Sequence, residues 1–163
     1  MKTLIVYFSW SNGNTKRIAE MLQKKTGADM ERLETAVPYP TDHNTTVAQG
    51  KEETEEEYMP ELKPMKHDVN AYERIIVGTP TWWYTMAPAV HTFLHDHDFT
   101  GKTVVPFMTN GGWPGTVIRD MESAAKGASF AQAKEIRFDS QGKDHMVTPL
   151  KEVEDWIDEV AES

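Results

Sequence analysis

The 163-residue chain contains no cysteine. That excludes disulfides, thiolate nucleophiles, thiolate metal ligands and iron–sulfur clusters within it. Long apolar runs are also missing: Leu4–Phe8 is far shorter than the ~18 residues a membrane helix needs. The same run has no small-residue cleavage site after it, so a signal peptide is not expected and a cytoplasmic location is. Positive charge is scarce, with 17 Lys and Arg against 26 Asp and Glu and a net charge of −9. Such a surface repels nucleic acid and anionic membranes, and favours a protein partner with a basic docking surface. Gly/Ser linkers, internal repeats and low-complexity tracts are absent, so one domain over residues 1–163 is expected, as monomer or homodimer.

What is present is an alternation of strand and helix patterns. Leu4–Phe8, Ile75–Val77 and Val104–Met108 are nearly continuous apolar runs bounded by turn residues, the pattern of strands buried on both faces of a parallel sheet. Ala28–Glu34 and Ala133–Asp139 mix polar with apolar residues and read as edge strands. Helical spacing links Ile18, Met21 and Leu22; Ala87, Val90 and Leu94; Ile118, Met121 and Ala125; and Leu150, Val153, Ile157 and Val160. The long crossover Thr35–Asn70 predicts one helix around Thr45–Tyr58, ended by Pro60. The alternation predicts a doubly wound α/β fold with a five-stranded parallel sheet in the order 2-1-3-4-5. Ligands of such sheets bind at the switch point, outside the carboxyl ends of the central strands.

Three loops fall at that edge. The first runs from Ser9 through Trp10, Ser11, Asn12, Gly13 and Asn14 to Thr15, and opens directly into a helix. Unpaired N–H groups at a helix start, hydroxyl donors and a glycine make a seat for phosphate; an Asn-Gly turn with a Thr cap is the alternative. The loop lacks the Gly-Lys-Ser/Thr of a P-loop and the three glycines of a dinucleotide fingerprint, although Glu34 sits where a ribose-binding acid would. In the second loop Pro80 is expected to stop the strand, and Thr81 is followed by Trp82, Trp83 and Tyr84. Three aromatics in a row supply a flat wall for a planar ring, or else a hydrophobic plug or dimer contact. The third loop, Thr109, Asn110, Gly111, Gly112, Trp113, Pro114 and Gly115, offers backbone N–H groups and polar side chains, or a plain turn. Taken together the loops suit a phosphorylated aromatic cofactor.

These motifs resemble the flavodoxin family, in a short-chain branch whose second loop reads Pro-x-Trp-Trp. The resemblance spans the opening strand and its Ser-x-Ser-x-Gly-Asn-Thr loop, Gly78 to Trp83, Phe99-x-Gly101-Lys102 and Thr109-x-Gly111-Gly112. It implies an FMN cofactor. Ser9, Ser11, Asn12, Gly13, Asn14 and Thr15 would hold the phosphate, and Pro80, Thr81, Trp82 and Trp83 would flank the isoalloxazine. Thr109, Asn110, Gly111 and Gly112 would line its other side and pyrimidine edge. The chain departs from the branch at Tyr84, where glycine is frequent, and at Trp113-Pro114, which replaces a small pair. The lack of glycine between Thr79 and Met86 implies weaker stabilisation of one-electron-reduced flavin.

Other constellations carry less. His91 and His95 have i, i+4 spacing near His97 but lie off the apolar stripe, so a solvated face and no metal site are expected. Glu52, Glu53, Glu55, Glu56, Glu57 and Glu61 read as a solvated helix face that can also steer a basic partner. A phosphorelay receiver needs Asp where Ser9, Thr79 and Thr109 stand, and a low-molecular-weight phosphatase needs a cysteine. No residue stands out as an acid–base catalyst. An FMN-binding electron carrier working with a redox partner protein is therefore favoured, and a nicotinamide-dependent two-electron reductase of quinones or nitro compounds is the alternative.

Overall fold

The apolar runs do pair as strands in a computed structural model, which describes residues 2–10, 13–39, 45–46, 48–49, 51–52, 59–141 and 143–163. The strands are β1 (Thr3–Tyr7), β2 (Asp29–Arg32), β3 (Arg74–Trp82), β4 (Thr85–Met86), β5 (Thr103–Asn110), β6 (Ser129–Phe130) and β7 (Lys134–Arg137). They form a seven-stranded sheet in the order β2-β1-β3-β5-β6, with β7 also on β5 and β4 folded back antiparallel on β3. The helices are α1 (Asn14–Thr26), α2 (Pro88–Asp96), α3 (Val117–Ala124) and α4 (Leu150–Glu162). In the crossover, residues 45–46, 48–49 and 51–52 are helical, and the rest of the expected helix up to Tyr58 lies outside the described residues. No helix among the described residues is long and apolar enough to cross a membrane.

The expected order holds, but the strand count among the described residues is seven rather than five. One extra strand is β4, built in the second loop. The other arises because the far edge strand is split in two, and a proline explains the break. Ala131 N–H donates to the Val104 carbonyl at 3.1 Å. A parallel ladder would next send the N–H of residue 106 to the Ala131 carbonyl. Pro106 has none. The edge therefore leaves the ladder after β6, turns at Gln132 with φ 55°, and rejoins at Lys134 opposite Phe107.

Pro80 acts in the same way, and it does not stop the strand as expected. Phe8 N–H donates to the Gly78 carbonyl at 3.1 Å, and the next bond would need an N–H at residue 80. The proline ends pairing with the β1 side only. On the other side β3 stays paired with β5 as far as Pro80 opposite Thr109, then continues to Trp82.

Alternation along the central strands sends side chains to two cores. Leu4, Val6, Ile75, Val77 and Val104 meet Val90, Phe93 and Leu94 of α2 and Met121 of α3 on one face. Ile5, Tyr7, Ile76, Val105 and Phe107 meet Ile18 and Leu22 of α1 and Val153 and Ile157 of α4 on the other. Each fully buried aliphatic side chain contributes roughly 1.5–3 kcal/mol. The edges are mixed in polarity, and the β2 edge is covered by the crossover. There the buried Glu31 carboxylate accepts from the N–H groups of Lys66 and His67 at 2.9 Å and lies 2.8 Å from His67 Nδ1. Beside it the Tyr72 hydroxyl donates to Asp29 Oδ2 at 2.6 Å, a bond that pushes the phenol pKa up to about 12.

Candidate functional site

The first loop ends where α1 begins. Gly13 precedes the helix with φ 73°, a left-handed conformation glycine reaches without a steric penalty. Gly13 gives the helix start no side-chain cap, and the first turn holds no acid. Among the described residues Lys16 N–H finds a hydroxyl, Ser9 Oγ at 3.3 Å. Lys16 and Arg17 stand in this turn, where cations oppose the helix dipole unless an anion sits nearby. Asn14 Nδ2 donates to the Lys143 carbonyl at 3.1 Å, while its Oδ1 is the one buried side-chain polar atom among the described residues without a partner. Thr15 is buried, and its hydroxyl bonds that of Thr109 at 2.9 Å, joining the first loop to the third.

The second loop is a hairpin. Thr81 pairs with Met86 and Trp82 with Thr85, leaving Trp83 and Tyr84 as a two-residue turn with φ 51° and 67°. Positive φ at both turn positions is the geometry that matches the twist of the flanking strands, and Asn-Gly is its usual sequence. Trp82 is half-buried and meets Phe8, Trp10 and Tyr39 edge-on at centroid distances of 5.7, 6.1 and 5.1 Å. Trp83 and Tyr84 are exposed at the tip, so the three aromatics do not share one wall.

The polar side chains of the third loop already have partners. Asn110 Nδ2 donates to Glu135 at 2.8 Å, and its Oδ1 accepts from Gly112 N–H at 2.6 Å. The Thr109 carbonyl accepts from Thr81 Oγ1 at 3.0 Å, and the Arg137 guanidinium donates to the Gly112 carbonyl at 3.3 Å.

Between the loops lies a cavity of about 290 Å³, lined from the first loop by Trp10, Asn14 and Thr15. The second loop supplies Pro80, Thr81 and Trp82, and the third Thr109, Asn110, Gly111 and Trp113. Phe138, Asp139 and Ser140 close it from behind β7. Ser9 and Gly13 line a larger, more open groove of about 860 Å³ along α1 instead, next to Lys16, Arg17, Lys24 and Arg32. Trp83 and Gly112 do not line the cavity, and Ser11 and Asn12 lie outside the described residues. Trp10, Trp113 and the 138–140 segment are additions to the sequence-derived set. The last was legible in principle, because the loop after a fifth parallel strand leaves the same carboxyl edge. Chemically, the cavity joins a helix start and an unpartnered acceptor to an aromatic wall. That combination suits a ligand with an anionic end, hydroxyls and a planar ring. No three His, Asp or Glu residues gather as a metal site among the described residues; His97 Nδ1 bonds the Phe93 carbonyl at 2.8 Å and His95 bonds Asp96.

A family model described as Flavodoxin matches residues 2–159. Flavodoxin 1 of Escherichia coli is 28% identical over 106 residues, 63% of this chain and 46% of that protein, so the match spans about half the length of the curated relative. Among solved structures, a putative flavoprotein from Bacteroides eggerthii is 28% identical with a TM-score of 0.76, covering 98% of each chain. A flavoprotein from Lactobacillus acidophilus, solved in complex with FMN, is 23% identical with a TM-score of 0.70 over 82% of this chain and 92% of that one, and shares the fold.

Proposed function

This chain belongs to the flavodoxin family, and from that premise we propose that residues 1–163 act as one FMN-binding domain that carries electrons. Once bound, FMN supplies the redox chemistry, and the protein supplies position and electrostatics. The observation that carries the reading is the unpartnered Asn14 Oδ1 beside the start of α1, where Gly13 supplies no side-chain cap. A ribityl hydroxyl would satisfy that oxygen, and a phosphate would satisfy the helix start. Ser9, Ser11, Asn12, Gly13, Asn14 and Thr15 would hold the phosphate end. Pro80, Thr81, Trp82 and Trp83 would flank the ring, with Trp82 as the wall because it lines the cavity while Trp83 stands at the exposed turn. Thr109, Asn110, Gly111 and Gly112 would line its polar edge. A net charge of −9 suits a redox partner with a basic docking surface in the cytoplasm.

A second reading, a nicotinamide-dependent two-electron reductase of quinone-like or nitro compounds, is favoured by one feature. The Trp83–Tyr84 turn already has positive φ at two bulky residues, so it lacks the freedom of a glycine turn to rearrange with each electron. Stopped-flow reduction of the FMN-loaded protein by NADH and NADPH, with and without a quinone, separates the readings. A carrier is reduced slowly and turns over little with quinone. A reductase shows rapid, quinone-dependent turnover with one nicotinamide.

A further inference from the structure

The Trp83–Tyr84 turn is unusual for its sequence. Bulky residues at positive φ are outliers, and they persist only where the surroundings over-determine them. Here the determinants come from the segment that follows β5. Thr116 N–H donates to the Tyr84 carbonyl at 2.9 Å. Asp120 Oδ2 accepts from Thr85 Oγ1 at 2.7 Å and from Thr116 Oγ1 at 2.6 Å. Gly115 lies against the turn so closely that a Cβ would stand 2.1 Å from the Tyr84 carbonyl oxygen. Thr116 immediately precedes α3, yet its hydroxyl makes no helix cap. It is committed to Asp120, whose own N–H donates back to the Thr116 carbonyl at 2.9 Å.

We propose that Asp120 is a positioning residue for the ring side of the pocket, tying Thr85 of β4 to Thr116 ahead of α3 and so fixing Trp82 and the Trp83–Tyr84 turn. The inference rests on the FMN reading. An acid in the first turn of α3 would favour the helix dipole wherever its side chain pointed. That role does not call for one oxygen shared by hydroxyls from two elements. The two departures from the branch pattern, Tyr84 and the Trp113-Pro114 pair, are thereby parts of one feature, because the segment starting with Trp113 carries the clamp for the turn holding Tyr84.

The test compares Asp120→Ala, Asp120→Asn and Gly115→Ala with the wild-type chain in two measurements. Amide hydrogen exchange at Thr116 is followed in the FMN-free protein, and affinities for FMN and riboflavin are titrated by flavin fluorescence. Asp120→Ala should speed Thr116 exchange and weaken both flavins by the same factor, about tenfold, the worth of a charge-assisted hydrogen bond. Asp120→Asn keeps an acceptor for both hydroxyls and should restore most of both. Gly115→Ala, which displaces the Tyr84 carbonyl, should reproduce the Asp120→Ala signature by a separate route. The proposal is overturned if Asp120→Ala and Gly115→Ala leave exchange and both affinities unchanged. It is also overturned if they weaken FMN while sparing riboflavin, because the effect then lies at the phosphate end. A wild-type chain that binds neither flavin overturns the FMN reading and the flavin-facing role with it, while the exchange measurement separately reports whether Asp120 holds the turn.

Discussion

Thr15→Val removes one hydroxyl and leaves the side-chain shape almost unchanged. That hydroxyl lies 2.9 Å from Thr109 Oγ1, with Thr15 only 1% and Thr109 4% exposed, so Thr109 loses a partner that water does not readily replace. A buried polar group left unsatisfied costs about 1–3 kcal/mol. In a chain of this length each kcal/mol lowers Tm by about 2–4 °C, so the FMN-free variant should melt roughly 2–12 °C lower. Thr109→Val should cost a similar amount. The double variant should recover most of the loss, since replacing both partners by apolar groups of the same shape is nearly neutral. Thr15 also stands in the turn proposed to hold the phosphate. Losing a bond to that charge costs about 1.5–3 kcal/mol, or about 10–150-fold in Kd for FMN, and should spare riboflavin. Thermal melts of the four proteins and fluorescence titrations with both flavins test this. Additive losses in the double variant would refute the pairing, and an unchanged ratio of FMN to riboflavin affinity would remove Thr15 from the phosphate site.

Tyr84 has φ 67° and is 59% exposed, so Tyr84→Gly should relieve strain of about 1 kcal/mol and raise Tm, while Tyr84→Val lowers it. Equal destabilisation by both in thermal melts would mean the turn is unstrained. Trp82→Ala removes edge contacts with Phe8, Trp10 and Tyr39 and should cost about 2–4 kcal/mol in urea unfolding, with weaker flavin quenching; Trp83→Ala at the exposed tip should cost less. The reverse ranking would shift the wall to Trp83. The Tyr72 phenol donates to Asp29 and is pushed up to about 12 by that bond, so the protonated form is the stabilising one. Its contribution is complete below the ordinary value of ~10 and lost as pH rises to about 12. Wild-type stability should therefore fall through that window more steeply than that of Tyr72→Phe, as followed by denaturant unfolding at each pH.

The sheet was largely legible because its central strands carry unbroken apolar runs and its edges do not, and handedness rules then leave one order. Pro80 and Pro106 were harder. Whether a proline ends a strand depends on which neighbour its missing N–H would have faced, and that register is invisible in composition. The proposed phosphate side of the site is local, since Gly13, Asn14 and Thr15 sit together in sequence. The ring side is not. Local propensity argues against Trp83 and Tyr84 in a tight hairpin, and what forces them there is Gly115, Thr116 and Asp120, some thirty residues on. In the same way Asn110 reads as a ligand donor until Glu135 and Gly112 are seen to occupy both ends of its amide.

Binding of FMN by the cofactor-free protein tests the central claim most directly. Calorimetric titration should give one FMN per chain, tighter than riboflavin or FAD. At free FMN a hundredfold above its Kd the folded state should gain about 2.7 kcal/mol, seen as a rise in Tm. A melting temperature unmoved by saturating FMN would contradict the account.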